Sequence, residues 1–257
     1  IIPVFVPHLG CPHNCVFCNQ NRISGQLEPA TPQTVIDEIE NAAAFLPKGG
    51  KRQLAFYGGS FTAIPSCQQE ALLGAAKEYL DRGEIDAIRL STRPDAIDGA
   101  VLARLKRYGV ETIELGAQSL CDEILRLSGR GHTAADTVRA AELIKRAGFS
   151  LILQMMTGLP GADEESEVRT ARDICDMGAD AARVYPTVVF RGTELETMAA
   201  NGSYCPLDWH TSEERTASVL DVFDRAGVPV IRVGLCASEG LVSPDSVAGG
   251  ANHPAMG

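Results

Sequence analysis

Residues 133–155, TAADTVRAAELIKRAGFSLILQM, contain the pattern that decides the fold. In the first part, Thr133–Ala147, apolar side chains return at helical spacing. Two cations then precede Gly148, which is typical of a helix end because cations offset the helix dipole and glycine accepts the terminating conformation. The apolar run Leu151–Met155 follows and has the length of a buried strand. The stretch therefore predicts a helix that leads into a strand of a parallel sheet.

The same alternation of short apolar runs and amphipathic segments extends along most of the chain. Another helix is predicted over Thr34–Phe45, preceded by Thr31 and Pro32 as an N-cap and first-turn pair. Gly109 ends a further helix in the manner of Gly148. The expected apolar faces are Val35, Ile36, Ile39 and Ala43 in the Thr34–Phe45 helix, and Val138, Ala141, Leu143 and Ile144 in the Thr133–Ala147 helix.

Repeated βα units without a heptad seam or low-complexity tract predict an α/β fold, a partial (β/α)6 TIM-like barrel. We expect residues 1–200 to form the core barrel and residues 201–257 to form an extension that completes or flanks it, in a chain trimmed from a longer one. The predicted strands are Pro3–Val6, Gln53–Tyr57, Ala87–Ser91, Thr112–Gly116, Leu151–Met155 and Ala182–Tyr185, with Val230–Val233 as a seventh.

Composition limits the classes of function. The chain has 257 residues, of which 45% are hydrophobic and 22% charged, enough for one large core. Since it has no apolar run of the roughly 18 residues that a membrane span needs, we expect a cytoplasmic protein with no membrane partner. A formal charge of −10 gives no general attraction to nucleic acid. Eight cysteines fit a reducing compartment, where thiols more often bind metal than form disulfides.

Three of these thiols lie within eight residues, at Cys11, Cys15 and Cys18, on a loop after the first strand. A structural zinc site would need a fourth ligand, which His8 or His13 can supply, although such sites usually combine two separated ligand pairs. Three thiolates on a cubane iron–sulfur cluster would leave one iron open. The other cysteines lack ligand-pair spacing and are expected to be structural thiols: Cys67, Cys121, Cys175, Cys205 and Cys236.

The C-x3-C-x2-C spacing with Phe17 before the last cysteine resembles the signature of the radical SAM superfamily. The resemblance implies a 4Fe-4S cluster on Cys11, Cys15 and Cys18, and S-adenosyl-L-methionine bound to the open iron. It further implies reductive cleavage to a 5′-deoxyadenosyl radical, with an electron donor such as flavodoxin or ferredoxin. By the same resemblance Phe17 lies near the adenine and Phe5 near the cluster loop; the alternative for both is a packing role in an apolar core.

The resemblance also assigns cofactor contacts at the ends of later strands. Gly58, Gly59 and Ser60 follow the second strand, where the family receives the methionine amino group; glycines that simply turn the chain are the alternative. Ser91 and Arg93 close the third strand and are site candidates, with a turn around Pro94 as the alternative.

The interval from Gln118, at the end of the fourth strand, to Arg130, which opens the Arg-Gly-His-Thr segment, resembles the oxygen-independent coproporphyrinogen oxidases. In that family the residue matching Gln118 contacts the nucleoside, and the residue matching Arg130 pairs with the methionine carboxylate, a role that suits a guanidinium fork. The alternative for Arg130 is a solvated surface cation. The ribose-binding position falls on Gln154, where the relatives have an acidic residue.

The segment Arg183-Val-Tyr-Pro-Thr187 and the later Arg191-Gly-Thr193 resemble the Elongator catalytic subunit. The likeness continues through further motifs up to about residue 200: Gly58–Thr62, Thr92–Asp95, Gln118–Ser119, Arg130–Thr133 and Met155–Met156. The cysteine motif here is more compact than Elongator's, and we expect no acetyltransferase domain. The chain therefore resembles the shorter bacterial Elongator-like radical SAM proteins more than Elongator itself.

Tyr185 and His132 are candidate catalytic residues, since either can exchange a proton or hydrogen atom near a substrate; buried packing roles are the alternative. The Elongator resemblance and the arginines near strand ends at 89, 93, 130 and 183 favour hydrogen abstraction from a nucleobase in tRNA or other RNA. A small-molecule substrate such as a tetrapyrrole is the second hypothesis, which the acidic charge suits. A non-catalytic iron–sulfur module is the third.

Overall fold

The computed structural model describes residues 1–6, 11–19, 28–43, 45, 50–235 and 246–251. Its strands are β1 Ile2–Phe5, β2 Gln53–Tyr57, β3 Ala87–Thr92, β4 Val110–Gln118, β5 Ser150–Thr157, β6 Ala181–Pro186, β7 Val188–Phe190, β8 Val230–Val233 and β9 Val247–Gly250. Seven parallel strands form one sheet in the order β1-β2-β3-β4-β5-β6-β8 and curl into a half-barrel. The other two described strands, β7 and β9, pair with each other in antiparallel fashion.

Helices connect successive parallel strands, and several begin with a side-chain cap. The Thr133 hydroxyl accepts from the Asp136 amide and the Asp136 carboxylate accepts in return, which satisfies two of the free amides at that helix start. Asp163 and Ser166 form the same box at the next helix. The helices are α1 Pro32–Ala43, α2 Ser66–Asp81, α3 Gly99–Arg107, α4 Asp122–Leu127, α5 Ala134–Arg146, α6 Glu164–Asp176, α7 Glu194–Ala200 and α8 Trp209–Ala226, with 3₁₀ turns at Phe61–Ala63 and Pro94–Ala96.

The two faces of the sheet differ in chemistry. Side chains on the outer face are apolar and pack against the helices; Leu54, Leu90 and Leu115, for example, are fully buried there. Alternate residues point into the half-barrel, where β4 places Glu114 and β6 places Arg183. We call this inner space the lumen. Within the predicted C-terminal extension, helix α8 leads into strand β8, which continues the same sheet.

The prediction of a partial parallel barrel is confirmed, and the seventh strand is present. Each predicted strand agrees with an observed one within a few residues at either end. Three details of the helical predictions are wrong. Helix α1 ends at Ala43 and Phe45 is 87% exposed. Ala43, assigned to the apolar face of that helix, is also exposed. Val138 is 41% exposed, while Thr137 and Ala140 are buried instead. Among the described helices none is long and apolar enough to cross a membrane.

A small second cluster lies beside the cysteine loop and was not predicted. Strand β7 pairs with β9, and Val189 packs with Leu195 and Tyr204. Val16 of the cysteine loop belongs to the same cluster, and Phe17 packs against it. This packing anchors the far side of the loop.

Candidate functional site

The segment carrying Cys11, Cys15 and Cys18 is held by backbone hydrogen bonds on two sides. The Val16 amide donates to the Ser128 carbonyl at 3.1 Å, and the Leu195 amide donates to the Val16 carbonyl at 2.8 Å. Within the loop, the Cys18 amide donates to the Cys15 carbonyl at 2.9 Å and forms a tight turn. Cys15 is buried, and the other two thiols are half-buried.

The loop rests on glycines that follow α4. Gly129 and Gly131 both have positive φ, at 64° and 72°, a conformation that glycine accepts without strain. A side chain at Gly131 would overlap the ring of His13, and one at Gly129 would lie 3.1 Å from the Asn14 carbonyl oxygen. The cysteine loop can therefore lie this close to the segment after α4 only because residues 129 and 131 are glycines without side chains.

Two buried arginines stand behind the thiols. Arg130 donates to the Cys15 sulfur at 3.4 Å and to the Gly116 carbonyl at 2.6 Å. Arg93 donates to the Arg130 carbonyl at 2.6 Å and forms a two-point ion pair with Asp95. Arg130 is 7% exposed, so the alternative of a solvated surface cation is wrong.

The electrostatics of the loop suit thiolate ligands backed by cations. Burial, followed by the neighbouring Cys15, raises the pKa of the Cys11 thiol. The positive charges of Arg93 and Arg130 oppose that rise, because an opposite charge favours the thiolate. Hydrogen bonds to cluster sulfurs and nearby charge are the means by which proteins set cluster potentials. The donor set, three thiols with two guanidinium groups beside them, fits an anionic iron–sulfur cluster.

The geometry differs from that of a single-ion site. Among the residues that the structure describes, no three His, Cys, Asp or Glu side chains gather around a point that could hold one ion. In a cubane each iron takes its own thiolate, so the three sulfurs need not converge. Of the two histidines considered as zinc ligands, His13 is exposed and packs on Gly131, and His8 lies outside the described residues.

The glycine segment after β2 lies next to this loop. Gly58 has φ of 93°, Gly59 is half-buried, and Ser60 is fully buried. The Ser60 hydroxyl lies near the Cys11 thiol, whose pKa it lowers, yet it has no well-formed hydrogen bond among the described residues. The Thr62 hydroxyl lies 2.6 Å from that of Thr92 and fixes this segment to the end of β3.

Gln118 and Gln154 meet over the lumen, where the Gln154 amide donates to the Gln118 side-chain oxygen at 3.2 Å. The register of β4 and β5 shifts between Gly116 and Gln118, so β4 bulges at its end. Gln118 has φ of 66°, the only positive value among the described non-glycine residues. Such local strain is often found at binding sites. Ser91 is half-buried on β3 and donates to the Phe56 carbonyl at 3.3 Å.

His132 lies behind Arg130, and neither ring nitrogen has a well-formed hydrogen bond within the described part of the chain. Burial, followed by the charges of Arg130 and Arg93, lowers its pKa to about 4. The imidazole is therefore neutral near pH 7, and in an acid–base role it would accept a proton.

Aromatic candidates take different positions. Phe17 is half-buried against the cluster of Val189 and Leu195. Phe5 lies at the end of β1, opposite Tyr57 of β2. Tyr185 faces the lumen at the end of β6, where its hydroxyl accepts from Arg183 at 3.4 Å. Burial raises the pKa of Tyr185, and Arg183 opposes that rise.

Sequence reasoning missed the role of Glu114, which is 3% exposed in the middle of β4. Its carboxylate lies 2.7 Å from Arg89 and 2.8 Å from Arg183, and the Tyr57 hydroxyl donates to it at 2.9 Å. We call these four residues the lumen floor. The available signal was strand parity, which places the carboxylate on the same face as Thr112 and Gly116.

The floor changes the interpretation of the arginines at strand ends. Arg89, Arg93 and Arg130 are each at most 7% exposed, and the Arg183 side chain is 12% exposed. Arg89 and Arg183 pair with Glu114, and Arg93 pairs with Asp95. Contrary to the expectation from sequence, these four side chains therefore do not form a solvent-facing surface for RNA phosphates.

Comparisons with curated proteins find relatives of the Elongator type. The chain is 28% identical over 247 residues to tRNA uridine(34) acetyltransferase of Methanocaldococcus jannaschii, an alignment that covers 80% of this chain and 46% of that protein. It is 29% identical over 174 residues to Elongator complex protein 3 of Dictyostelium discoideum, covering 60% of this chain and 31% of that protein. The chain thus spans half or less of the length of these relatives.

Solved structures share the fold. The Methanocaldococcus infernus Elp3 with an N-terminal deletion superposes with a TM-score of 0.66 at 24% identity, over 85% of this chain and 53% of that one. Coproporphyrinogen III oxidase from Escherichia coli, a radical SAM enzyme, gives 0.62 at 20% identity, over 88% and 52% of the two chains.

Family models match nearly the whole chain. The model of the radical SAM C-terminal domain matches residues 179–257. The model of the radical SAM superfamily matches residues 5–174, which contain the cysteine loop, the glycine segment and the Gln118 bulge. This family uses a 4Fe-4S cluster and S-adenosylmethionine, and its members are enzymes. The chain belongs to the radical SAM superfamily.

Proposed function

We propose that this protein reductively cleaves S-adenosylmethionine and abstracts a hydrogen atom from a nucleobase in tRNA. The observation that carries the choice of substrate is the similarity to tRNA uridine(34) acetyltransferase across 80% of the chain. The proposal covers radical generation and hydrogen abstraction. It leaves acetyl transfer aside because the alignment spans only 46% of that relative.

In this proposal Cys11, Cys15 and Cys18 hold the cluster. When bound, the cluster supplies the electron that breaks the sulfonium bond, and a flavodoxin or ferredoxin in the cytoplasm is the expected reductant. Arg130 supports the ligand loop from behind through its hydrogen bond to Cys15. Arg93 in turn fixes the Arg130 backbone.

Cofactor contacts are proposed at the neighbouring strand ends. The backbone of Gly58 and Gly59 and the Ser60 hydroxyl receive the methionine amino group, and Arg130 binds the carboxylate. Support comes from buried polar atoms without well-formed hydrogen bonds among the described residues, the Ser60 hydroxyl and Arg130 Nε, since such atoms usually indicate a ligand or water. The remaining nucleoside contacts are assigned to Phe17, Ser91, Gln118 and Gln154.

Two residues are proposed for proton or hydrogen transfer. Tyr185 faces the lumen, and because its hydroxyl accepts from Arg183 its own proton is available to a substrate. His132 lies farther back, and its neutral imidazole can accept a proton. Of the two, the position of Tyr185 is the more direct.

The first test is anaerobic reconstitution with iron and sulfide, followed by measurement of 5′-deoxyadenosine under reductant. We expect about four irons per chain and product formation. Cys15→Ala should lose the cluster and lower the yield of product by at least about a hundredfold, since a ligand cannot be replaced by a methyl group. Cys205→Ala, at an exposed thiol, is the matched control and should behave as the wild type.

The second test asks where the hydrogen comes from. Deuterium transfer into 5′-deoxyadenosine from tRNA deuterated in its uridines would support the nucleobase proposal. Transfer from deuterated coproporphyrinogen III, with none from RNA, would replace it with the tetrapyrrole hypothesis. A stable cluster without any 5′-deoxyadenosine would indicate a non-catalytic iron–sulfur module.

A further inference from the structure

We propose that the lumen binds an oxyanion of the substrate, a phosphate or a carboxylate, between Arg183, Arg232 and Tyr185. The site lies beside the floor, on the last two strands of the sheet. The inference deepens the proposed function, since the oxyanion would belong to the molecule that loses the hydrogen atom.

The first argument is charge. Three guanidinium groups, those of Arg89, Arg183 and Arg232, are carried on the lumen face of β3, β6 and β8. Within the described part of the chain, Glu114 is the only carboxylate in salt-bridge contact with any of them. The described lumen thus has an excess of two positive charges. Uncompensated charge away from bulk water is unfavourable, so a counter-anion would stabilise this arrangement.

The second argument is the placement of the surplus charge. Arg183 and Arg232 are direct neighbours in the register of β6 and β8, and residues so paired project to the same face. Like charges in such positions repel each other. Arg232 forms one described hydrogen bond, from Nε to the Gly234 carbonyl at 3.1 Å. Its terminal amino groups therefore remain available for a two-point contact with an oxyanion.

The third argument is the neutral donor beside this pair. Tyr185 is two residues beyond Arg183 on β6 and lies close enough to Arg232 that the cation lowers the pKa of the phenol against the rise due to burial. Its hydroxyl accepts from Arg183, so the hydroxyl hydrogen can point to a ligand. Tyr57, in contrast, donates its hydrogen to Glu114. The two tyrosines of the lumen therefore differ in function.

Access and position agree with a substrate role. Strand β8 is the last strand of the seven-stranded sheet, and Arg232 is half-buried, so part of its side chain is accessible to solvent among the described residues. Gln154 pairs in register with Arg183 and touches Gln118 at the strand ends. A molecule held by its oxyanion at Arg232 would therefore extend toward the proposed cofactor contacts.

The test is titration calorimetry on the reconstituted holoenzyme without reductant. The probes are uridine 5′-monophosphate, uridine and malonate, which separate a phosphate site from a carboxylate site. We expect one of the two anions to bind, and its affinity to fall with added salt. If the site takes a phosphate, uridine should bind at least about tenfold more weakly than uridine 5′-monophosphate, because it lacks the charged group. Arg232→Gln should weaken anion binding by at least about tenfold, as expected for a lost charge-assisted hydrogen bond.

Arg139→Gln is the matched control, because Arg139 is an exposed arginine on helix α5; it should leave anion binding unchanged. Arg232→Lys keeps the charge and should show an intermediate loss, which supplies a second variant if the glutamine substitution does not fold. Failure of both anions to bind, or equal binding by wild type and Arg232→Gln, would overturn the proposal. Because the titration needs no cofactor cleavage, its outcome is independent of the 5′-deoxyadenosine assay.

Discussion

The lumen floor and the cysteine-loop end of the half-barrel both contain buried arginines, yet they differ in whether a carboxylate balances the charge. In the floor both arginines face a carboxylate: Arg89 and Arg183 lie 2.7 and 2.8 Å from Glu114, although some of their nitrogens lack a well-formed hydrogen bond. At the loop end, Arg130 contacts the Cys15 sulfur and the Gly116 carbonyl and has no ion pair with a carboxylate of the described residues. The Ser60 hydroxyl and both nitrogens of His132 also have no well-formed hydrogen bond there.

This difference distinguishes residues that stabilise the fold from residues proposed to bind a ligand. Charges mounted on strands can be paired when the sheet forms, because register fixes their distances. Groups on the loops after the strands have no such fixed partner, and in the proposed function they are completed by a ligand. A substitution in the floor should therefore act on stability, while one at the loop end should act on cofactor binding with little or even favourable effect on stability.

The largest expected effect on stability is in the floor. Glu114→Gln should lower the free energy of unfolding by about 3 kcal/mol or more, because two buried guanidinium groups lose their counter-charge. Urea denaturation measures this, and Glu111→Gln is the matched control on the same strand. Glu111 pairs with Lys51 at the exposed surface, so its loss should cost less than about 1 kcal/mol. Equal costs for the two variants would contradict the distinction.

The next effect is a pH dependence at the loop end. His132 has a pKa lowered to about 4 in the folded protein, whereas an unfolded histidine titrates near 6.5. Between these values the unfolded chain binds the proton more readily, so stability is complete above about pH 6.5 and falls toward pH 4. Through His132 alone, the free energy of unfolding should fall by about 3 kcal/mol at most between these pH values.

His132→Asn removes the group and should flatten this part of the profile of unfolding free energy against pH. His210→Asn, at an exposed histidine, is the control and should keep the wild-type slope. An unchanged slope in His132→Asn would show that other groups cause the acid sensitivity.

The smallest effect is expected at the β4 bulge. Gln118→Gly relieves the positive φ of residue 118, and should raise the unfolding free energy by up to about 1 kcal/mol, after the entropic cost of glycine. The same change removes the contact with Gln154 and should weaken binding of S-adenosylmethionine. Gln68→Gly within helix α2 is the contrast and should lose up to about 1 kcal/mol. A clear loss of stability in Gln118→Gly would show that contacts of the Gln118 side chain stabilise the fold by more than its positive φ costs.

The sequence predicted the strands well because each is a short apolar run whose outer face meets helices. Leu151–Met155 and Gln53–Tyr57 show this, since local composition is enough to define them. The three cysteines and the glycine segment were also visible, because close spacing in sequence indicates closeness in space. The structure places Cys11 beside Ser60; that both belong to one cofactor site stays a prediction.

Pairing across the barrel could not be predicted in the same way. Glu114 is 25 residues from Arg89 and 69 from Arg183 in sequence, and only strand order and register bring them together. The bulge that turns Gln118 inward depends on the β4–β5 register, which a single sequence does not reveal. Val138 was assigned to the buried face because it is apolar, but small residues beside it fit closer to the sheet.

The glycine contact between His13 and Gly131 has a consequence for the order of assembly. The cysteine loop is near the start of the chain, but the segment on which it rests follows strand β4 and helix α4. During synthesis the three thiols emerge long before Arg130 and its neighbours exist to support them. The cluster should therefore be inserted only after the first four strands have folded, and iron offered to a shorter nascent chain should not be retained. A contact that spans 118 residues thus sets the time at which this protein can become an enzyme.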